Sequence, residues 1–318
     1  MNEFEFIKNI KKKYGLERVG DDCAVLPKDG ATDLVVTTDL LVEDVDFKLD
    51  WTTPEFLGHK ALAVSLSDIA AMGAEPKWAM LSIGVPDAIW NSKFLDRFYE
   101  GWHELAAFHS VELVGGDVSK TAGKFVIDSI VGGEVPKGLA ILRSGAKAGD
   151  SIYVTGPLGG SAAGLRLLNE GVRGDIPESD DRFPLLLKQL KPAPRLEFGK
   201  LLREGSFATA MIDISDGLSS DLSHISRASG VGATIHANEL PFDGQLMNIA
   251  GTVDAMLDLA LNGGEDFELL FTGDEEKISQ SKIDDIFRIG EITANTGVVE
   301  LIRDGNASLL APGGFRHF

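Results

Sequence analysis

The sequence predicts an α/β protein of two domains. Its 318 residues exceed the usual length of a single domain. A hydrophobic content of 44% and 36 glycines are typical of a compact α/β protein with many tight turns. Short apolar segments, each followed by a carboxylate, recur between longer segments of helical periodicity. The composition shifts near Pro136, so we place an N-terminal domain at 1–136 and a C-terminal domain at 137–318.

Charge and cysteine content exclude several classes of protein. The formal net charge of −19 argues against nucleic acids and anionic membranes as partners, and it suits either simple solubility or the binding of divalent cations. Cys23 is the only cysteine, so an internal disulfide and a thiolate metal cage are ruled out, and a reducing compartment fits. No signal peptide and no apolar segment of the roughly 20 residues that span a bilayer is recognisable. We therefore expect a soluble, cytoplasmic protein.

Residues 33–39 form the most informative segment of the N-terminal domain. Apolar and β-branched residues lead into Thr37, Thr38 and Asp39, which predicts a buried strand with a polar end. An ordinary turn would explain this end equally well, but two hydroxyls and a carboxylate also offer three oxygen ligands to a hard divalent cation. Residues 111–117 repeat the design, with two glycines before Asp117 that let the backbone approach a phosphate.

A long helix is predicted between these two strands. Thr52, Thr53 and Pro54 favour a helix start, and the helical pattern continues to Gly73. The residues of its last two turns are small and apolar except for Asp68. These small residues predict close packing against another helix. Because an unpaired buried carboxylate is costly, Asp68 needs a cation, an arginine or a set of donors, and we favour a metal ion.

Other acidic positions allow both structural and functional interpretations. The adjacent carboxylates Asp21 and Asp22 suit a turn, but they repel unless they are solvated or share a cation. A strand that ends at Asp213 precedes Ser215 and Asp216, which also suit the N-cap of a helix at 218–229.

Further segments of the C-terminal domain are candidates for phosphate binding. Arg143 is either a surface residue or a phosphate ligand. The glycine-rich segment 156–164 opens a helix and is a weak candidate for an anion site, without the Walker pattern. At 263–271 two glycines and two acids precede a buried strand, and the alternation at 287–292 and 297–302 predicts a hairpin at a sheet edge.

The candidate ligands are all oxygen atoms. The set comprises Asp22, Thr37, Thr38, Asp39, Asp68, Asp117, Asp213 and Asp216. Histidines are few and are not paired at the spacing of zinc ligands. Oxygen ligands favour Mg²⁺ or Ca²⁺, and Mg²⁺ typically binds together with substrate phosphates. Acids and glycine-rich turns in one chain therefore indicate phosphoryl transfer.

Seven motifs resemble one known family over nearly the whole chain. They are Gly-Asp-Asp-Cys-Ala at 20–24, Thr-Thr-Asp at 37–39, Ser-Asp-Ile-Ala-Ala-Met-Gly-Ala at 67–74, Gly-Gly-Asp at 115–117, Arg-Ser-Gly-Ala-Lys at 143–147, Asp-Ile-Ser-Asp-Gly-Leu at 213–218 and Gly-Gly-Glu-Asp-Phe-Glu-Leu at 263–269. In this order they resemble the thiamine-monophosphate kinases, within the superfamily that includes aminoimidazole ribonucleotide synthetase. The motifs are specific as a set, although each one alone is weak.

The resemblance implies a fold, a reaction and a set of contacts. The fold would be of the α+β type, with a mixed N-terminal sheet and helices, a C-terminal α/β domain and a homodimer formed by the N-terminal domains. The reaction would be ATP-dependent phosphorylation of thiamine monophosphate. Several Mg²⁺ ions would bind the oxygen ligands named above. ATP would contact Gly116, Asp117, Arg143 and Ser215. Thiamine monophosphate would contact Asp46, Glu265 and Phe315.

Two of these positions depart from the commonest family pattern. Asp46 stands where histidine is frequent, and Phe315 where tyrosine or tryptophan is frequent; Phe315 can stack on a ring but offers no polar atom. No residue stands out as a general base. The alternatives are another ATP-using enzyme of the superfamily, such as a synthetase, or a non-catalytic protein that binds nucleotide or cations. The selenium enzyme of the superfamily needs a reactive cysteine or selenocysteine in a glycine-rich N-terminal segment, and the hydrogenase-maturation protein needs a cysteine at its C-terminus. Cys23 is the only cysteine here.

Overall fold

The computed structural model describes residues 3–16, 18–281 and 283–315. Within these residues the chain forms two mixed sheets with helices packed around them, which confirms the predicted α/β class. None of the described helices is long and apolar enough to cross a membrane.

The N-terminal part contains a five-stranded mixed sheet. Its strands are β1 (Ala24–Pro27), β2 (Thr32–Val42), β3 (Glu75–Val85), β4 (Glu112–Lys120) and β5 (Val126–Pro136). The helices are α1 (Glu3–Tyr14), α2 (Pro54–Ala71), α3 (Asp87–Trp90) and α4 (Phe94–Phe108). The strand order is β1-β2-β5-β3-β4, and neighbouring strands are antiparallel except for β3 and β4. Helix α2 packs on one face of this sheet, against β2, β3 and β5.

The C-terminal part contains a seven-stranded mixed sheet. Its strands are β6 (Ser151–Val154), β7 (Ala210–Asp213), β8 (Gly232–His236), β9 (Leu269–Gly273), β10 (Phe287–Thr293), β11 (Val299–Arg303) and β12 (Asn306–Leu309). The helices are α5 (Gly160–Asn169), α6 (Phe183–Leu190), α7 (Leu196–Glu204), α8 (Leu218–Ser229), α9 (Leu246–Ala250), α10 (Val253–Asn262) and α11 (Glu275–Ser281), with a 3₁₀ turn at Ala237–Glu239. The strand order is β12-β11-β8-β10-β6-β9-β7.

Helix α2 lies at the centre of the molecule and contacts both parts. It is buried on nearly every side, which agrees with its apolar sequence. Thr53 is its N-cap and accepts a hydrogen bond from the backbone N–H of Phe56 at 3.2 Å. At the crossing with α4 a Cβ atom on Gly58 would lie 1.9 Å from the carbonyl oxygen of Phe98, so this crossing requires glycine. The close packing predicted for the last two turns occurs against α7, where a Cβ atom on Gly199 would lie 2.1 Å from the carbonyl oxygen of Ala70.

Packing on the far side of α2 joins the two parts into one core. The helix touches α7 and β7, and side chains on one face of the second sheet, such as Met211 and Phe271, belong to the same apolar cluster as α2. The opposite face of that sheet packs against α8 and α10. The side chains of α2 therefore lie where residues from both parts meet.

Several predicted elements differ from the observed ones. Strand β2 continues to Val42 and β4 to Lys120, so Asp39 and Asp117 lie within strands rather than at strand ends. The reason is that pairing with neighbouring strands persists beyond both aspartates, as Leu41 pairs with Ile127 and Val118 with Ile83. The predicted tail hairpin is wrong.

The observed hairpin lies later in the tail. It joins β11 to β12, whereas β10 pairs with β6 and β8. Alternation alone marks strands but does not say which of them are partners. Helices α6 and α10 and strand β8 were not predicted.

Candidate active site

Three aspartates from distant parts of the chain meet beside α2. Asp22 precedes β1, Asp68 lies in α2 and Asp213 ends β7, and one carboxylate oxygen of each lies within 4.8 Å of the others. Asp22 and Asp213 are buried, and Asp68 is half-buried. Oδ2 of Asp22 is buried and accepts no hydrogen bond from the described residues. An orphaned oxygen inside a cluster of acids is the environment expected of a cation site.

The acids of this cluster resist ionisation. Burial raises the pKa of Asp213 to about 8, with a further contribution from the negative charge of Asp22. Burial also raises the pKa of Asp68 well above its usual range, and Asp39, Asp213 and Asp22 add to the shift. Burial raises the pKa of Asp39 to about 6, partly offset by a hydrogen bond from Ser65. The protein alone therefore does not stabilise the ionised form of these carboxylates, which a bound cation would favour.

Hydroxyl groups from α2 and β2 orient these carboxylates. Ser67 donates to Asp213 at 2.6 Å, and Thr37 donates to Asp68. The hydroxyl of Ser65 donates to Asp39 at 2.6 Å. Because these donors lie on one rigid helix and one strand, the directions of the acids are fixed before any ligand binds.

One basic side chain reaches the cluster. Nη2 of Arg143 lies 2.6 Å from Oδ1 of Asp22, and the backbone N–H of Arg143 donates to Asp21 at 2.8 Å. Burial disfavours the charge of Arg143, but the carboxylate of Asp22 more than offsets this and the pKa of the guanidinium is raised. Cys23 is buried nearby, and burial raises the pKa of its thiol well above the usual range.

A cavity of about 680 Å³ opens next to the cluster, between the two parts of the chain. Its lining includes six predicted metal, ATP and substrate residues: Asp39, Asp46, Ser215, Asp216, Glu265 and Phe315. Phe315 is half exposed and is held by its backbone N–H, which donates to the carbonyl oxygen of Asp216 at 3.0 Å. Asp216 also lies in a second group with Asp221 and His224, whose ligand atoms are within 4.8 Å of one another.

Thr38 and Asp117 lie apart from the buried acids. Strand register places both on the sheet face opposite to Thr37 and Asp39, because Asp117 pairs with Ser82, and Ser82 with Asp128. Thr38 donates to Asp128 at 2.8 Å on that outer face. Gly116 and Asp117 line a separate surface cavity of about 650 Å³ on β4. A single chain therefore divides the predicted ligands between two faces of the sheet.

The glycine-rich segment before α5 does not present an open anion site. The carboxylate of Asp266 accepts hydrogen bonds from the backbone N–H groups of Gly159 at 2.7 Å and Ser161 at 3.1 Å. Beside them the carboxylate of Glu268 lies where a Cβ atom on Gly156 would be. The chain's own carboxyl group thus fills this helix start, so the sequence-based candidate is wrong, although burial raises the pKa of Asp266 to about 7.

Sequence reasoning missed three polar residues that interact with predicted site residues. Asp128 lies in the middle of β5, where no strand end marked it, and its charge acts on Asp39. Lys60 and Gln189 both contact the carboxylate of Glu265. Lys60 was detectable, because it is a cation in an otherwise apolar helix, as Asp68 is an anion in the same helix. Gln189 gave no signal, since its helix was not predicted.

Comparisons with known proteins identify relatives of both parts of the chain. Residues 20–135 match the N-terminal domain of the AIR synthase related proteins, and residues 147–302 match their C-terminal domain. The thiamine-monophosphate kinase of Escherichia coli (strain K12) is 40% identical, over 94% of this chain and 91% of the relative. The enzyme of the same name from Bacillus subtilis (strain 168) is 37% identical over the full length of both chains.

A solved structure has the same fold throughout. The structure described as AaThiL complexed with AMPPCP and TMP superimposes with a TM-score of 0.88 at 34% sequence identity, and the match covers 100% of this chain and 97% of that one. Identity above 30% over entire chains, in both domains, establishes common family membership. The chain belongs to the thiamine-monophosphate kinase family of the AIR synthase related proteins.

Proposed function

We propose that this chain is an ATP-dependent kinase that converts thiamine monophosphate to thiamine diphosphate with the help of Mg²⁺. One observation carries the proposal: acids that are distant in the sequence meet beside a cavity between the two parts of the chain, in a protein whose full-length relatives bear this activity as their name. The solved relative that is described as a complex with AMPPCP and TMP supports the same pair of substrates.

The charge of the cavity suits a cationic substrate. Five carboxylates line it, namely Asp39, Asp44, Asp46, Asp216 and Glu265. Among its described lining residues Lys48 is the one cation. Thiamine monophosphate carries a positively charged thiazolium ring, which such a wall attracts, while Trp51 and Phe315 offer aromatic surfaces to its ring system. Asp46 adds a negative charge where the commonest family residue is histidine, so we expect it to contact the substrate as an anion.

The cluster of acids fits Mg²⁺. The donor set consists of oxygen atoms, and the buried oxygen of Asp22 still lacks a hydrogen-bond donor among the described residues. The residues that would hold the ions are Asp22, Thr37, Thr38, Asp39, Asp68, Asp117, Asp213 and Asp216. When bound, Mg²⁺ neutralises negative charge on phosphate oxygens and holds them in position.

The chain's own residues have a limited role in the chemistry. The acceptor phosphate has a second pKa of ~6, so it is already an anionic nucleophile at neutral pH and needs no general base. Arg143 and Ser215 would contact ATP, and the guanidinium of Arg143 would place positive charge beside the polyphosphate. We propose direct in-line transfer without a phospho-enzyme. A chiral γ-phosphorus would then be inverted, and retention of configuration would refute direct transfer.

A second copy of the chain would complete the site. Strand β4 is exposed along its whole length at the edge of the sheet, including Leu113, Val114 and Val118. The outer face of the sheet also exposes Leu40 and Met80. Exposed edge strands of this kind are usually covered. We propose a homodimer that buries this face and brings Gly116 and Asp117 to ATP.

Light scattering tests the dimer directly. We expect twice the chain mass of 34.1 kDa for the wild type and a monomer with weakened ATP binding for Met80→Asp. A fully active monomer would refute the dimer while leaving the kinase proposal intact. The single buried thiol and the acidic surface support a location in the cytoplasm.

A coupled assay tests the kinase proposal. Purified protein with ATP, Mg²⁺ and thiamine monophosphate should form ADP and thiamine diphosphate in equal amounts. Formation of ADP only with another acceptor would favour a different enzyme of the superfamily. Binding of ATP and Mg²⁺ without turnover of any acceptor would favour a non-catalytic protein.

A further inference from the structure

Lys60 is a buried cation in the first half of α2. Its side chain is only 4% exposed. Nζ lies 2.8 Å and 2.9 Å from the two carboxylate oxygens of Glu265 and 3.2 Å from the carbonyl oxygen of Gln189. The contact joins the N-terminal part, through α2, to the loop that follows α10. A lysine in such surroundings is stabilised only by its partners, so its position is set by Glu265 and Gln189.

Glu265 is held from several sides although it faces the cavity. Its side chain is 28% exposed and lines the 680 Å³ cavity. The side-chain amide of Gln189 donates to the same carboxylate, and the backbone N–H of Glu265 donates to Ser215 at 2.8 Å. Its backbone lies in the left-handed region at φ +63°, a conformation that residues other than glycine rarely adopt. Such a backbone persists only where the surrounding contacts fix it.

The same helix carries the acid cluster further along its length. Lys60 and Asp68 are eight residues apart in α2, which corresponds to about 12 Å along the helix axis. If the ring system of the substrate binds near Glu265, its phosphate group therefore points along α2 toward Asp68. The relative position of the two subsites depends on the contact between Lys60 and Glu265, because this contact ties the loop to the helix.

We propose that Lys60 is a positioning residue for thiamine monophosphate. It fixes the position of the Glu265 carboxylate relative to α2, and the side-chain amide of Gln189 is the second donor to that carboxylate. This inference rests on the proposed function, in which Glu265 contacts that substrate. Lys60 itself is covered by Glu265 and Gln189, so it acts through the carboxylate and not by touching the substrate.

Steady-state kinetics of the Lys60→Met variant test this role. We expect the KM for thiamine monophosphate to rise about 10- to 100-fold, because misplacement of a binding group by an ångström has effects of this size. The KM for ATP should stay within about twofold of the wild type, since Glu265 lies on the acceptor side. Lys60→Arg keeps the charge at a different reach, and its KM for thiamine monophosphate should be intermediate.

A double-mutant cycle separates positioning from direct contact. If Lys60 acts through Glu265, the Lys60→Met change should have little further effect on the KM in a Glu265→Gln background. Additive effects would mean that Lys60 contacts the substrate independently, and they would overturn the proposal. Equal rises in both KM values, or unchanged kinetics with a lowered Tm, would assign Lys60 a structural role only and would also overturn it.

Two further variants keep the test decisive. Lys200→Met removes another ion pair between the two parts, Lys200 with Glu75 at 3.1 Å, outside the cavity, and should leave both KM values unchanged. Should Lys60→Met fail to fold, Gln189→Met decides: a selective rise in the KM for thiamine monophosphate that disappears in the Glu265→Gln background supports the proposal, and any other result overturns it. Absence of wild-type turnover would refute the kinase proposal first, and this inference with it.

Discussion

Two groups of carboxylates are withdrawn from solvent in this molecule, and they differ in their partners. Asp266 and Glu268 follow the loop after α10 and are both buried. Asp266 accepts two backbone N–H groups at the start of α5. Glu268 accepts from Arg195 at 2.6 Å and from the hydroxyl of Thr155 at 2.9 Å, and Lys188 lies 3.6 Å away. Each of these two acids is satisfied by the chain itself.

The acids beside α2 have fewer partners for their charge. Asp22, Asp68 and Asp213 lie against one another, and among the residues that the structure describes Arg143 alone forms an ion pair with them, through Asp22. Ser67 and Thr37 orient Asp213 and Asp68 but bring no positive charge. Without a bound cation the folded state relieves their mutual repulsion by protonation, as the raised pKa values of Asp68 and Asp213 indicate.

The comparison shows that burial alone does not identify a binding site. Both groups contain acids with little exposure. What distinguishes them is whether the protein supplies a matching cation or N–H donors. A buried acid that already has such partners stabilises the fold, whereas a group of acids that lacks them is available to bind a ligand.

Replacement of Asp39 or Asp68 should reduce activity more than any other change considered. Asparagine keeps the size of the side chain but removes the charge, so Asp39→Asn and Asp68→Asn should each lower kcat by roughly a thousandfold. The fold should survive, and without Mg²⁺ the Tm should be equal or higher, because repulsion between the acids is relieved. Initial rates and circular dichroism measure both quantities. Asp33→Asn is the control, since Asp33 is buried in the same strand but accepts from Gly138 instead. Near-normal activity in both variants would refute the metal cluster.

The opposite outcome is expected for Glu268→Gln. Loss of this carboxylate leaves Arg195 without its partner in a partly buried position, and the free energy of unfolding should fall by about 3 kcal/mol. The kinetic constants should change little, because Glu268 does not line the cavity. Denaturant unfolding together with kinetics of the folded variant checks this. Lost activity at unchanged stability would mean that Glu268 serves the reaction and not the fold, so that the two groups of acids would not differ in function.

A third test uses pH. Burial raises the pKa of Asp213 to about 8, whereas an unfolded chain has an aspartate pKa near ~4. Between these values the folded protein binds the proton and the unfolded chain does not, so this group's stabilisation is complete below pH ~4 and is lost as the pH rises toward 8. Relative to Asp213→Asn, the wild type without metal should lose up to about 1.4 kcal/mol per pH unit between pH 5 and 7.

Unfolding in chelator at several pH values measures this difference in slope. Mg²⁺ should reduce it, because a cation replaces the proton as the partner of the carboxylate. If the free energy of unfolding changes equally with pH in the wild type and in Asp213→Asn, then Asp213 does not hold the proton that relieves the repulsion.

The sequence predicted the class of fold and the acids, but not their grouping. Local patterns identified Asp22, Asp68 and Asp213 because a carboxylate next to an apolar segment can be recognised in the sequence alone. Which acids meet, and which are already satisfied, depends on contacts between distant segments. The sequence shows carboxylates at Asp68 and at Asp266 but not their partners, and Asp266 meets the N–H groups of Gly159 and Ser161, more than a hundred residues away.

Strand ends were misjudged for a related reason. Thr37, Thr38 and Asp39 are polar, and polarity in a strand suggests that the strand has ended. Pairing with β5 continues past them to Val42, because backbone hydrogen bonds do not depend on side-chain polarity. The alternation of the strand then sends Thr38 to the face opposite to Thr37 and Asp39, a separation that only the register reveals.

Replacement of Asp266 at the glycine-rich segment should have a smaller effect than the changes above. Asp266→Asn retains one oxygen that can accept from Gly159 or Ser161 but removes the charge at the start of α5. Loss of a helix cap of this kind should lower the free energy of unfolding by about 1 kcal/mol. The KM for ATP should not change, because the helix start is filled by the protein's own carboxylate and not by a phosphate group. A clear rise in the KM for ATP, measured beside the unfolding curve, would mean that this helix start does serve the nucleotide. The distinction between satisfied and unsatisfied acids would then fail at the position where the sequence first suggested an anion site.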